Sequence, residues 1–190
     1  MSSKLACKTP MIIVAAPSGA GKSSFVERIS KEDTRLVDII TYTTRAMRRG
    51  ESQKHPYHFV EKLQFEKLLA QNFFVEHANV HGNWYGTPAD QLEQAWSEGK
   101  CVIMDVDVQG AETFRKKYPK SKSIFILPPS IDELRRRVIK RDGKVPNDLE
   151  VRMNNAEKEI SRAHEFNFQV VNDDFESSYA SFKKIVAELL

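Results

Sequence analysis

The sequence predicts an α/β fold with a mainly parallel sheet flanked by helices. Three observations predict it. The runs at 11–15 (MIIVA), 101–108 (CVIMDVDV, ending in acids) and 123–129 (SIFILPP, closed by prolines) open with successive apolar residues, as in strands covered on both faces. Segments with apolar residues at helical spacing lie between them. Strands and helices also alternate along the chain instead of falling into blocks, which is the order of βα units.

The elements follow in order. The run 11–15 is bounded by Pro17 and Gly19, and 22–30 is helical with Phe25, Val26 and Ile29 on one side. LVDIITYTT at 36–44 is expected to be a strand. YHFV at 57–60 is a short strand, and 61–70 is helical by the spacing of Leu63, Phe65, Leu68 and Leu69. FFVEHANV at 73–80 is extended, and HGNWYGTP at 81–88 is expected to turn. A helix over 89–98 stops at Gly99, and the strand 101–108 leads to a short helix over 111–118. After the strand 123–129 come a helix over 131–141, a loop at 142–148 (DGKVPND) and a second helix over 149–164. A last strand at 168–172 and an amphipathic helix at 175–190 close the chain. The stretch 37–88 breaks the rhythm with short strands and turns, and reads as an insertion carrying its own site.

At 190 residues the chain is expected to be one domain with a substantial core. Hydrophobic residues at 41% and charged residues at 29% are ordinary for a soluble globular protein. The net charge of +3 is too small to argue for nucleic acid. No apolar run approaches the roughly 18–20 residues that span a bilayer. The start, MSSKLACKTP, lacks the apolar stretch of a secretory signal, so the expected location is cytoplasmic. Cys7 and Cys101 form no C-x-x-C pair, and Cys101 reads as a buried small hydrophobe. His77 and His81 stand four apart, as in zinc helices, but in an extended stretch, so they read as ordinary residues. Phe73, Phe74 and Trp84 read as core residues and not as a base-stacking platform.

The chemistry begins at 16–23, APSGAGKS, one residue away from the phosphate-loop pattern G-x-x-x-x-G-K-[ST] because Ala16 replaces the first glycine. A buried strand, a glycine turn and a helix supply the context, with backbone N–H groups and the helix N-terminus turned toward an anion. Ala16, Pro17, Ser18, Gly19, Ala20, Gly21, Lys22, Ser23 and Ser24 therefore form the candidate ATP loop. Lys22 would meet the β- and γ-phosphates and the Ser23 hydroxyl would reach Mg²⁺. Gly19 and Gly21 would keep side chains off the phosphates. The Ala16 methyl is tolerable where φ is negative. The stretch TTRAMRRGE adds Arg45, Arg48 and Arg49, whose guanidinium groups match phosphate oxygens. Asp105 and Asp107, two apart on one expected strand, point to one face at its C-terminal end, where ligands of α/β sheets sit. Asp105 is the candidate for metal-bound water; the alternative is that one of the two caps the following helix.

With IITYTTRAMRRGE (39–51), FFVEHANVHGNWYGTP (73–88), VIMDVDVQGA (102–111) and SIFILPPS (123–130), the chain resembles guanylate kinase from about residue 11 to its end. Bacterial-type members of that family commonly carry alanine at the position of Ala16. The resemblance implies a P-loop core of about 1–36, 89–140 and 165–190, a small mixed GMP-binding insertion of about 37–88, and a mobile helical lid of about 141–164. It implies the reaction ATP + GMP ⇌ ADP + GDP with Mg²⁺, in purine nucleotide metabolism, with dGMP as a further substrate, and it admits a homo-oligomer. It places Thr41, Arg45, Arg48, Tyr57 and Tyr85 around the GMP phosphate. Glu76, Thr87 and Asp107 fall at the guanine, and Asp105 beside GMP and, with Ser23, near the metal. Arg137, Arg141 and Arg152 would close on the phosphates from the lid and, with Lys22 and Arg45, form the catalytic set. Glu76 is the discriminating residue: guanine presents N1–H and N2–H₂ side by side, and a carboxylate offers two matching acceptors. The sequence departs from the family pattern at KHPY (54–57) and in the lid at KRDGKVPND (140–148). The alternatives are a guanylate kinase-like binding module without catalysis and a P-loop kinase for another acceptor. Retention of Gly19, Gly21, Lys22 and Ser23 favours the enzyme over the first, and Glu76 with Thr87 argues against the second.

Overall fold

The computed structural model describes residues 9–48, 50–80 and 82–190; Cys7, Arg49 and His81 lie outside the described residues. The strands are β1 (Met11–Ala15), β2 (Leu36–Asp38), β3 (Tyr42–Thr43), β4 (His58–Phe59), β5 (Phe74–Val80), β6 (Asn83–Pro88), β7 (Cys101–Val106), β8 (Lys122–Leu127) and β9 (Phe168–Val171). The helices are α1 (Lys22–Glu32), α2 (Lys62–Ala70), α3 (Ala89–Ser97), α4 (Val108–Lys117), α5 (Ile131–Asp142), α6 (Leu149–Ser161) and α7 (Phe175–Leu189).

All five residues of β1 are wholly buried. Its side chains alternate between faces, so Ile12 and Val14 join one apolar cluster while Met11, Ile13 and Ala15 join the other. A strand apolar on both faces belongs in the middle of a sheet. The sheet order is β2-β7-β1-β8-β9, and every pairing is parallel. α1, α5, α6 and α7 cover one face through Phe25, Leu134, Met153 and Phe182. α3 and α4 cover the other through Leu92 and Phe114. Asp107, Ser130 and Asp174 cap α4, α5 and α7 by accepting hydrogen bonds from the amides of Gly110, Glu133 and Ser177.

A second sheet, β4-β3-β6-β5, lies within residues 42–88. β3 runs parallel to β4 and antiparallel to β6, and β5 is antiparallel to β6. Its packing is aromatic. Phe65 stacks on Phe74 with ring centroids 4.5 Å apart, Trp84 lies 6.0 Å from Phe65, and Phe73 meets Phe74 edge-on. The rings pack on one another, but Phe73, Phe74 and Trp84 stay half-buried and only Phe65 is fully buried. Gly86 leaves room for them: a Cβ there would lie 2.7 Å from the Phe74 ring and 2.9 Å from Phe65.

Four elements differ from expectation. The single strand expected over 36–44 is two strands in two sheets. The amide of Ile39 still reaches Ile103 O of the core, but that of Ile40 goes to the Gln91 side chain and the chain crosses over. The turn expected at 81–88 is largely β6, because the residues from Asn83 to Pro88, Gly86 among them, pair with β5. The core strand ends at Val106, so Asp107 is a helix cap and not a strand residue. The helix expected over 149–164 ends at Ser161 and is followed by a 3₁₀ turn, Ala163–Glu165.

Candidate active site

A cavity of about 710 Å³ opens between the C-terminal end of the core sheet, the second sheet and the α5–α6 arm. At the sheet end the chain passes from β1 into α1. Gly19 and Gly21 have φ of +99° and +96°, a backbone that side chains resist. A Cβ would also meet Val138 at 2.8 Å from Gly19 and Asn172 at 2.7 Å from Gly21. These glycines therefore serve the backbone path and the packing beneath it as well as the clearance above. Ala16 is buried and is not among the residues with positive φ. No side chain caps the N-terminus of α1, so its first amides stay available to an anion. Ser23 Oγ donates to Asp105 Oδ2 at 2.6 Å, and Lys22 Nζ lies 3.6 Å from the same oxygen.

Across the cavity, β3 holds Thr43 with no exposure, and the Thr43 hydroxyl accepts from the Arg45 amide at 3.1 Å. Both outer nitrogens of Arg45 donate to Glu51, at 2.9 and 3.0 Å. Burial opposes the charge on Arg45, but Glu51 and the nearby Tyr85 outweigh it and raise its pKa. Among the described residues no carboxylate is hydrogen-bonded to the Arg48 guanidinium, and burial, then Arg141 and Arg45, pull its pKa down against the opposing pull of Asp142 and Glu51. Tyr57 packs edge-on against Tyr85 at 5.7 Å, and burial raises its phenol well above the usual range. Deeper in, burial and then Asp107 push the Glu76 carboxyl up to about 7. Thr87 Oγ1 is buried without a hydrogen-bond partner. A buried hydroxyl left unpaired beside a cavity is a free polar contact for a guest.

The third wall is cationic. Asp142 Oδ1 accepts from Arg141 Nε at 2.8 Å, while its Oδ2 accepts from Arg152 Nη1 at 3.0 Å. Arg152 Nε donates to Asp148 at 2.9 Å, and Arg141 reaches the Ser18 hydroxyl at 3.4 Å.

The sequence profile of the family described as guanylate kinase matches residues 8–189. The chain is 62% identical over 183 residues to the guanylate kinase of Bdellovibrio bacteriovorus, covering 96% of this chain and 99% of that one. It is 43% identical to the guanylate kinase of Thiobacillus denitrificans, covering 87% and 79%. Its fold matches the crystal structure of guanylate kinase from Anaplasma phagocytophilum with a TM-score of 0.79, at 31% identity, over 99% of this chain and 90% of that one. The chain belongs to the guanylate kinase family. It is an enzyme, a nucleotide-binding kinase with the α/β architecture of P-loop kinases.

The cavity of this guanylate kinase family member gathers most of the residues singled out in its sequence. Thr41, Arg45, Arg48, Tyr57, Glu76, Tyr85, Thr87, Asp105, Asp107, Arg141 and Arg152 line it, as do Ala16, Pro17, Ser18, Gly19, Gly21, Lys22, Ser23 and Ser24. Two do not. Ala20 is wholly buried: its amide donates to Pro17 O within the turn, and its carbonyl accepts from Asn172 Nδ2. Arg137 stands outside the lining, with Nη1 on Asn172 O at 2.9 Å and Nε on Glu133 at 3.0 Å. Asp105 and Asp107 both border the cavity, although only Asp105 is on the strand, and the Asp107 carboxylate accepts from Gly110 N at 2.6 Å. Sequence reasoning missed Glu51, Asp142 and Glu159. Glu159 lines the cavity from α6, two helical turns after Arg152. That spacing, on the face already marked by Arg152, was the available signal.

Proposed function

We propose that the enzyme transfers the γ-phosphoryl group of ATP to GMP, giving ADP and GDP, with Mg²⁺ as the metal, in the cytoplasm. The observation that carries this reading is one cavity in which an open-ended phosphate loop faces a carboxylate and a free buried hydroxyl suited to guanine. The acceptor binds with its guanine N1–H and N2–H₂ donating to Glu76 and with Thr87 and Asp107 beside the ring. Adenine presents a bare acceptor at N1, which a carboxylate repels, so the site selects the base. Arg45, Arg48, Tyr57, Tyr85 and Thr41 take the acceptor phosphate. The loop amides and Lys22 take the donor phosphates.

The oxygen-only pair of Ser23 and Asp105, 2.6 Å apart on the cavity wall, fits Mg²⁺, which favours hard oxygen ligands and keeps several waters. When bound, the metal neutralises phosphate charge. The protein's own work is alignment and charge: the two phosphates are held in line, and cations from two walls meet the transferring group. Arg141 and Arg152 stand on the α5–α6 arm, and their approach excludes water, the competing acceptor.

A coupled assay with ATP and each of GMP, AMP, CMP and UMP tests the reading. GMP is expected to be phosphorylated at a kcat/KM at least ~10³-fold above AMP, the scale set by unmatched hydrogen-bonding groups in a buried site. Comparable rates with AMP would overturn it.

A further inference from the structure

Gly110, the third residue of α4, is buried and lines the cavity. It is not among the glycines with positive φ, so the backbone there admits any residue, and a helix favours alanine over glycine. Space explains the glycine instead. A Cβ at Gly110 would lie 3.2 Å from Asp107 Oδ1 and 3.7 Å from Glu76 Oε1, with Val106 Cβ at 3.3 Å. The cavity wall at Gly110 is therefore flanked by one oxygen from each of two carboxylates, the cap of α4 and a side chain of β5. The two elements are tied again further along. Lys117, seven residues after Gly110 on the same face of α4, donates to Val75 O at 3.1 Å, next to Glu76. The β5–β6 ladder shifts register between Phe74 and Glu76, the kind of irregularity that re-aims a side chain.

We propose that Gly110 sets the specificity of the acceptor site for a base that carries a 2-amino group. The missing side chain leaves the gap between Glu76 Oε1 and Asp107 Oδ1 open, and the two N–H bonds of the amino group find an acceptor on either side of it. Asp107 Oδ1 already accepts from the Gly110 amide at 2.6 Å, but a carboxylate oxygen has a second lone pair to offer. Two neighbouring carboxylates repel, and a donor shared between them relieves that repulsion. A methyl at residue 110 would touch both oxygens and turn a pair of acceptors into an apolar wall. Hypoxanthine keeps the N1–H of guanine and lacks only the amino group. The gap over Gly110 is thus what distinguishes the two bases, since hypoxanthine leaves its acceptors unpaired.

This inference deepens the guanine reading of Glu76 and rests on it. The test is kcat/KM with saturating ATP for GMP, IMP and N2-methyl-GMP, in the wild type, Gly110→Ala and Gly110→Ser, with thermal melts of each. The wild type is expected to prefer GMP over both analogues by ~10-fold or more, the size of a hydrogen bond to a charged group. In Gly110→Ala the preference for GMP over IMP falls to within roughly threefold of unity, because IMP has nothing to place in the gap and loses little. Gly110→Ser, whose hydroxyl donates to the carboxylates in place of the amino group, loses the preference as well. A merely structural role for Gly110 would lower both substrates together and leave their ratio unchanged. The inference is overturned if the ratio survives in folded Gly110→Ala. It is overturned in the wild type alone, whether or not the variants fold, if IMP or N2-methyl-GMP is used as well as GMP. Failure of the guanine reading looks different: the wild type would phosphorylate AMP, CMP or UMP in preference to both GMP and IMP.

Discussion

Every residue of β1 is buried, whereas none of the seven residues of β5, across the cleft, reaches that state. In the function proposed above, the two strands carry the two ends of one site. At the phosphate end the binding groups are backbone amides and a helix terminus, fixed by a strand packed on both faces. At the base end they are side chains, Glu76 above all, standing on a short-stranded sheet stiffened by stacked rings. Where backbone binds, rigidity comes from the core and the chemistry is generic to phosphates. Where side chains bind, specificity is gained and the support is local. Damage should accordingly appear in kcat at one end and in acceptor recognition and stability at the other.

The sharpest way to break this contrast is Lys22→Ala. It removes a charge used mainly as the γ-phosphate moves, so kcat should fall by at least ~10²–10³, with an unchanged melting temperature. A folded variant with nearly wild-type kcat would remove the phosphate-loop assignment. Glu76→Gln exchanges one acceptor oxygen for a donor that faces guanine donors. A loss of ~10–100-fold in kcat/KM for GMP is expected, with activity toward AMP unchanged or raised. The same variant gives a pH signature. In the proposed reading ionised Glu76 is the binding form; burial pushes its carboxyl up to about 7, so wild-type affinity for GMP should rise as pH goes from 6 to 8. The acceptor phosphate, with a second ionisation near ~6, contributes in the same direction in both proteins. Equal pH profiles in wild type and Glu76→Gln would show that another group titrates.

Gly86→Ala tests the aromatic support. The added methyl would sit 2.7–2.9 Å from the Phe74 and Phe65 rings, an overpacking that costs about 1–3 kcal/mol. Calorimetry should show a melting temperature several degrees lower, and KM for GMP should rise more than kcat falls. An unchanged melting temperature would mean that the sheet gives way without cost. The smallest effect is expected at the other end. Ala16→Gly should cost about 0.4–1 kcal/mol of stability through the unfolded chain and leave the KM for ATP within a few-fold. A gain in stability would show that the methyl was strained.

The same contrast decides how much could be read from the sequence. β1, α1 and the loop between them were legible because their signals are local: an apolar run, glycines at fixed offsets, a helical stripe. β6 was not. NWYGTP looks like a turn until β5 lies beside it, and the meaning of Gly86 depends on two rings from other elements. The stretch 36–44 reads as one strand because nothing local marks the crossing at Ile40, which is set by a hydrogen bond to Gln91, 51 residues away. Ala20 matches the loop motif by position, but its polar groups are spent inside the turn. Glu159 looks like any surface acid of a charged helix; only the fold brings it to the cavity wall.

Arg45 is already bonded to Glu51, and Asp142 clasps both Arg141 and Arg152. These cations carry counter-ions that belong to the chain itself. A phosphate group entering the cleft therefore does not fall into an empty positive field; it exchanges with tethered carboxylates that remain close by to reclaim their partners. A guest that displaces several at once, and brings a base to hold it while it does so, wins the exchange. A small inorganic anion must release the same carboxylates with nothing else to anchor it. In the proposed reading the cleft works like an ion-exchange resin partly loaded with its own acid, selective because Arg45, Arg141 and Arg152 start paired.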